Sequence, residues 1–247
     1  MKKTGYFLKV IWAYWYFFVF VLLFLLLFPF FYILLSNKKW YPAANNLRRV
    51  WAWLIFLFTG IIYSIKRESK LNKNQAYIFC PNHTSYLDIP LFAMCYRGYF
   101  RFMAKLELSN IPLFNIFFRT IDISVNRGSI TESYKALRIA AESIEEGDSL
   151  VIFPEGKVAH HPPKLEKFKA GPFRLAIEKQ VSVVPVTFLD NWQMLYVDKK
   201  IWGRPGIARI VVHKPISTIG LTLDDIESLQ IKVHDIIENT IKEYGSK

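Results

Sequence analysis

Two side chains able to move a proton at neutral pH stand five apart in Asn82-His83-Thr84-Ser85-Tyr86-Leu87-Asp88, which follows the short apolar run Ala76-Tyr77-Ile78-Phe79-Cys80. An imidazole oriented by a carboxylate is a common way to build a general base. On a regular α-helix, residues five apart point about 140° away from each other. His83 and Asp88 therefore meet only if the chain between them is a turn. The alternative is a loop histidine followed by an aspartate that caps the helix opened by Pro90.

Three further places carry chemistry-bearing residues. In Val151-Ile152-Phe153-Pro154-Glu155-Gly156 an apolar run ends with Glu155 at its tip, and Gly156 permits close backbone approach. The plain alternative is a turn with a solvated glutamate. Residues 121–132 read as a strand, a loop with Arg127, Gly128 and Ser129, and a helix start. Free N–H groups, the helix dipole and a guanidinium fork suit a phosphate monoester; a solvated basic loop fits the same residues. Lys105, after another apolar run, is either a second cation for such a site or a surface lysine.

Several chemistries are excluded or disfavoured. There is no Walker loop, no G-x-S-x-G elbow and no H-E-x-x-H. His160 and His161 are adjacent, so their side chains diverge, and they read as a loop ahead of Pro162-Pro163 rather than a metal site. Cys80 and Cys95 have no metal-ligand spacing, which suits a reducing compartment. No metal or cofactor is expected.

The elements that must position these residues alternate in type. Strands are predicted at 76–80, 100–104, 121–125, 149–153, 183–188 and 207–213. Helices are predicted at 131–146, 172–180 and 224–244. The first has Ser129 and Glu132 at capping-box spacing, Tyr134, Leu137, Ala141 and Ile144 on one face, and Gly147 as its stop. This is the rhythm of an α/β domain, a mixed sheet flanked by helices, expected over residues 68–247.

Residues 1–67 differ. Residues 10–35 hold no charge, and as a helix they would reach about 39 Å, beyond the roughly 30 Å of bilayer hydrocarbon. A second apolar run, 51–65, would reach only about 22 Å. It fits a buried core helix, a tilted span or a re-entrant helix. The segment carries nine of the 32 Lys/Arg and no Asp or Glu, in a chain of net charge +12. These cations flank the apolar runs, so their partner is expected to be an anionic lipid surface rather than nucleic acid. A spanning hairpin would send Lys38, Lys39, Arg48 and Arg49 across, and a single span would send Lys2 and Lys3. A pair of helices entering and leaving one leaflet keeps every cluster on the cytoplasmic side. We read residues 1–67 as such a two-helix, membrane-associating element at the cytoplasmic face of the cell membrane.

Asn82–Asp88, Val125-Asn126-Arg127-Gly128, Phe153-Pro154-Glu155-Gly156 and Val183-Val184-Pro185-Val186, in this order and at these separations, resemble the motifs of the glycerolipid acyltransferase family. The resemblance extends over about residues 75–190 and is greatest to the 1-acyl-glycerol-3-phosphate acyltransferases. It implies His83 as base and Asp88 as its partner. It implies Arg127, Glu155 and Gly156 in acceptor binding, and Pro185 on the acyl side. Where the family continues Pro-Glu-Gly with Thr-Arg, this chain has Lys157-Val158, so Lys157 is the cation available there. The implied reaction transfers a fatty acyl group from a thioester donor, acyl-CoA or an acyl carrier protein, to lysophosphatidate, giving phosphatidic acid. Other acceptors, such as glycerol 3-phosphate, and a non-catalytic lipid-binding module remain as alternatives.

Overall fold

A computed structural model describes residues 3–126 and 128–245. In chain order its elements are α1 (Lys3–Leu34), α2 (Tyr41–Thr59), β1 (Ile61–Arg67), β2 (Ile78–Pro81), α3 (Asp88–Cys95), β3 (Phe100–Lys105), α4 (Ile116–Thr120), β4 (Ile123–Val125), α5 (Ile130–Glu145), β5 (Ser149–Val151), α6 (Gly171–Glu178), β6 (Val183–Phe188), α7 (Asn191–Met194), β7 (Leu195–Val197), β8 (Ile201–Gly203), β9 (Gly206–Val212) and α8 (Ile226–Gly245). Seven strands form one sheet in the order β1-β9-β6-β2-β5-β3-β4, and β7 and β8 form a separate ribbon. The strands from β6 to β4 in that order are mutually parallel; β9 joins β6 antiparallel and β1 joins β9 parallel. The expected α/β architecture with a mixed sheet is present.

The central strands β2, β5 and β6 are buried at every position. That is why they read as continuous apolar runs rather than alternating ones. Successive side chains still point to opposite faces: Phe79 packs with Phe92, Phe100 and Trp51 on the α1–α4 side, and Ile78 with Phe173, Val183 and Val233 on the α5, α6 and α8 side. Complete burial of a phenylalanine such as Phe79 contributes about 1.5–3 kcal/mol. Five parallel strands also mean that the loops leaving β2, β3, β4, β5 and β6 gather at one edge of the sheet, where open α/β folds place their sites.

The second apolar run is not one helix. Its first part completes α2, Gly60 turns the chain at φ +69°, and the rest forms β1. Residues 61–67, assigned from sequence to the membrane element, thus belong to the seven-stranded sheet through their pairing with β9. Gly60 reaches a left-handed backbone that a side chain would strain.

α1 and α2 lie antiparallel: the Trp12 indole donates to Thr59 O (3.1 Å), Trp15 to Phe58 O (3.0 Å) and Trp51 to Phe20 O (3.2 Å). Pro29 sits within α1, and residues 5–34 are long and apolar enough to cross a bilayer. Yet α1 follows the surface of the domain. Ala13, Tyr16, Val19, Leu23, Phe24 and Phe31 are buried along one side, Phe24 against Phe114 and Phe117, and Trp12 closes on Gly203, where a Cβ would stand 2.6 Å from its ring. Its other side, including Phe18, Leu25, Leu26 and Phe30, is exposed. A helix apolar all round but covered on one side presents its bare side to an apolar phase.

Two of the basic residues counted as surface charge are used internally. Arg48 is buried and makes a bidentate ion pair with Asp122, one arm at 3.1 Å, with its guanidinium 4.4 Å from the Phe117 ring centroid. Asp122 also accepts from Phe102 N at 3.0 Å. Arg49 donates to the carbonyls of Tyr96 and Gly98, beyond the end of α3. These bonds clamp α2 to the sheet and to the end of α3, and the buried Arg48 is not the free lipid-facing charge that composition suggested.

Candidate active site

β2 ends at Pro81, and Asn82 secures the turn that follows. Its backbone N–H donates to Val186 O (3.3 Å), and its side chain exchanges two hydrogen bonds with Phe188 (2.7 and 3.0 Å). The chain then wraps around a carboxylate. Oδ2 of Asp88, the first residue of α3, accepts from Thr84 N at 2.7 Å and Ser85 N at 3.0 Å, and lies 2.8 Å from Nδ1 of His83. The five-residue separation is spent on the turn that brings the two together. Asp88 is fully buried, and 13% of the His83 side chain is exposed.

Two contacts orient the imidazole further. Its ring stacks on Phe153 at 4.1 Å, and its backbone carbonyl accepts from Ala159 N at 2.8 Å. The Asp88 carboxylate selects the tautomer with the proton on Nδ1, leaving the Nε2 lone pair without a hydrogen-bond partner among the described residues. Such an imidazole is equipped to accept a proton.

Sequence reasoning missed Asn191. Its amide donates to Asp88 Oδ1 at 2.6 Å, completing four donors on one carboxylate. Asn191 follows β6 at the same sheet edge, and a polar residue just past a buried strand was the available signal. Phe153, quoted in the third motif, was likewise given no role.

Glu155 is buried, and both its oxygens are engaged by backbone: Oε1 accepts from His83 N at 2.7 Å and Oε2 from Glu166 N at 2.9 Å. Burial pushes its carboxyl up to about 7, the two N–H groups oppose that rise, and the charge of Asp88 adds to it. The residue expected at the acceptor thus ties the β5 loop to the base. Gly156 follows at φ +72°, and a Cβ there would stand 2.9 Å from Cε of Lys169.

Of the remaining predicted residues, Lys105 ends β3 and Lys157 follows β5, at the same edge. Lys105 is in register with Val125 of β4; it is exposed and pairs with Glu107 at 2.7 Å. Arg127 lies outside the described residues. Beside it, Ser129 caps α5 by accepting from Glu132 N at 3.3 Å. Lys157 is exposed and pairs with Glu166 at 3.4 Å. Pro185 stands in β6 opposite Cys80. The two histidines read as a loop, His160 and His161, occupy bends, with no metal-ligating cluster formed by either among the described residues.

A profile of the acyltransferase family matches residues 63–189, from β1 to the end of β6. The chain belongs to the acyltransferase family. It is 29% identical over 185 residues to a 1-acyl-sn-glycerol-3-phosphate acyltransferase of Chlamydomonas reinhardtii, covering 74% of this chain and 55% of that protein. It is 28% identical over 192 residues to the 1-acyl-sn-glycerol-3-phosphate acyltransferase of Saccharomyces cerevisiae, covering 76% and 63%. The chain therefore spans somewhat over half the length of these relatives. The crystal structure of the 1-acyl-sn-glycerophosphate acyltransferase of Thermotoga maritima superposes over 100% of this chain and 99% of its own, with a TM-score of 0.81 and 22% identity. At that identity the likeness concerns the fold. In this acyltransferase the matched segment holds His83, Asp88, Glu155 and Gly156; Asn191 falls two residues beyond it.

Proposed function

We propose that this acyltransferase moves a fatty acyl group from a thioester donor to the free hydroxyl of 1-acyl-glycerol-3-phosphate, giving phosphatidic acid. The observation that carries the reading is the His83–Asp88 pair, 2.8 Å apart at the carboxyl edge of the sheet, with no hydrogen-bond partner for Nε2 among the described residues. The acceptor hydroxyl oxygen attacks the thioester carbonyl carbon while Nε2 takes the hydroxyl proton, a contribution of about 10²–10⁴ in rate. Asp88 holds the tautomer and stabilises the imidazolium. The tetrahedral intermediate then collapses, the C–S bond breaks, and the imidazolium returns its proton to the departing thiolate. The products are the ester and a free thiol, with no acyl-enzyme.

The acceptor's phosphate is assigned to Arg127, Gly128 and the capped N-terminus of α5, with Lys105 and Lys157 as further cations at that edge. Glu155 serves the acceptor indirectly, through the loop it ties to His83, and Gly156 keeps the backbone there open to approach. The donor is water-borne, as coenzyme A or a carrier protein.

The same reading places the enzyme in one leaflet at the cytoplasmic face of the cell membrane, with α1 and α2 as the anchor. It is supported by α1 lying along the domain with only one side covered. An accessibility scan finding Lys2 and Lys38 on opposite sides of the membrane would refute this arrangement.

Thiol release measured with and without lysophosphatidate tests the function. Wild type should release thiol only when lysophosphatidate is present, and His83→Ala should release little. Release without an acceptor would indicate a thioesterase, and equal release by wild type and His83→Ala would remove the catalytic role of the pair.

A further inference from the structure

A basin of about 750 Å³ opens between α2, β1 and the end of α3. It lies on the flank of the sheet beside β1, three strands from β2, and none of its lining residues belongs to the His83–Asp88 turn. α3 leads away from Asp88 toward it, and β1, antiparallel to β2 and β6, ends there at Arg67. Tyr63, Ile65 and Met94 form apolar walls, and four cations, Arg49, Arg67, Lys73 and Arg97, line the rest. Among the described residues none of the four has a carboxylate within ion-pair distance.

Closing the end of α3 accounts for two of them. Arg49 donates to Tyr96 O and Gly98 O at 2.8–3.1 Å, and Arg67 to Cys95 O at 3.1 Å. Cations at a helix C-terminus are favourable, but these carbonyls satisfy donors without neutralising the charge. Burial, first, and the charge of Arg97, second, both work against the Arg49 cation. Lys73 and Arg97 are exposed and have no side-chain partner among the described residues, so helix capping does not account for them. Four uncompensated cations around one basin select an anion.

The basin also has an apolar exit. Asn46, Arg49, Val50, Trp53 and Leu57 fall within a stripe about 100° wide on α2. Val50, Trp53 and Leu57 are 47%, 47% and 57% exposed. The cationic wall therefore continues directly into a bare apolar ridge, the pattern of an anionic amphiphile. A free phosphate would use only the first half of it.

We propose that this basin seats the phosphate headgroup of an anionic phospholipid, with its acyl chains along the Val50–Trp53–Leu57 ridge, as a second lipid site separate from the catalytic pair. Its occupant would brace α2 and α3 from the membrane side without being consumed.

The full chain in non-ionic detergent, analysed by native mass spectrometry with added phosphatidylglycerol or phosphatidylcholine, tests this. Wild type should retain phosphatidylglycerol in preference to phosphatidylcholine. Lys73→Ala/Arg97→Ala should weaken retention roughly 30-fold, at ~1 kcal/mol per cation. Trp53→Ser should weaken it too, whereas Lys135→Ala/Lys232→Ala, which removes two charges from α5 and α8, should not. The readout is binding, so it stands whether or not the proposed acyl transfer is found. Equal loss in the two double variants, equal retention of both lipids, or displacement by millimolar inorganic phosphate would overturn the proposal.

Discussion

Asn191 donates its side-chain amide to Oδ1 of Asp88 at 2.6 Å, across 103 residues of chain. The turn amides and His83 occupy Oδ2, so Asn191 alone holds the other oxygen among the described residues. Asn191→Ala should lower kcat by about 10- to 100-fold, the worth of one hydrogen bond to a charged group. KM for the acceptor should change little. Asn191→Asp should be worse, because it sets a second carboxylate against the first. Steady-state thiol release at saturating acceptor measures both.

His83→Ala should retain the fold, since the imidazole lies at the site rather than in the core, and should lose about 10²–10⁴ in turnover. Asp88→Asn should approach the same loss through the wrong tautomer. The double variant should be little worse than either single one, because the residues act as a unit. Thiol release by the three variants, with circular dichroism to check the fold, decides it.

Arg48→Ala should destabilise the protein by about 3–5 kcal/mol, because it leaves Asp122 buried without its partner. Replacing both residues by apolar ones of similar size should cost far less. Urea denaturation in detergent, comparing the single and double variants, measures this; a near-neutral single variant would contradict the clamp.

Glu155 carries a pH signature. Its carboxyl is pushed up to about 7 by burial in the native state, against an ordinary value of 4.5. Between those values the folded protein holds the extra proton, so stability should fall as pH rises through the window and level off above it. Glu155→Gln should flatten that fall, whose full amplitude is of the order of a few kcal/mol. It should also slow catalysis, since an amide cannot accept both backbone N–H groups. Denaturation midpoints across the window, together with rates, separate the two effects.

Much of the architecture was legible because it is locally encoded. Six predicted strands correspond to β2, β3, β4, β5, β6 and β9, and three predicted helices to α5, α6 and α8, within a few residues. β1 was hidden because its apolar start runs on from α2 without a polar break. Gly60, at φ +69°, was the signal passed over. The ribbon of β7 and β8 is too short to leave a periodic trace.

By itself the sequence determined six of the strands, the helices α5, α6 and α8, the apolar character of α1 and the order of the four motifs. Periodicity, turn residues and motif spacing act over a few residues and survive in the linear chain. Only the tertiary structure decided that Asn191 reaches Asp88, that Glu155 ties two loops together, and that Arg48 is buried rather than facing lipid. Each of these depends on packing between distant segments. There the loss of water makes a charge or an amide seek a partner, and the sheet order determines which partners come within reach.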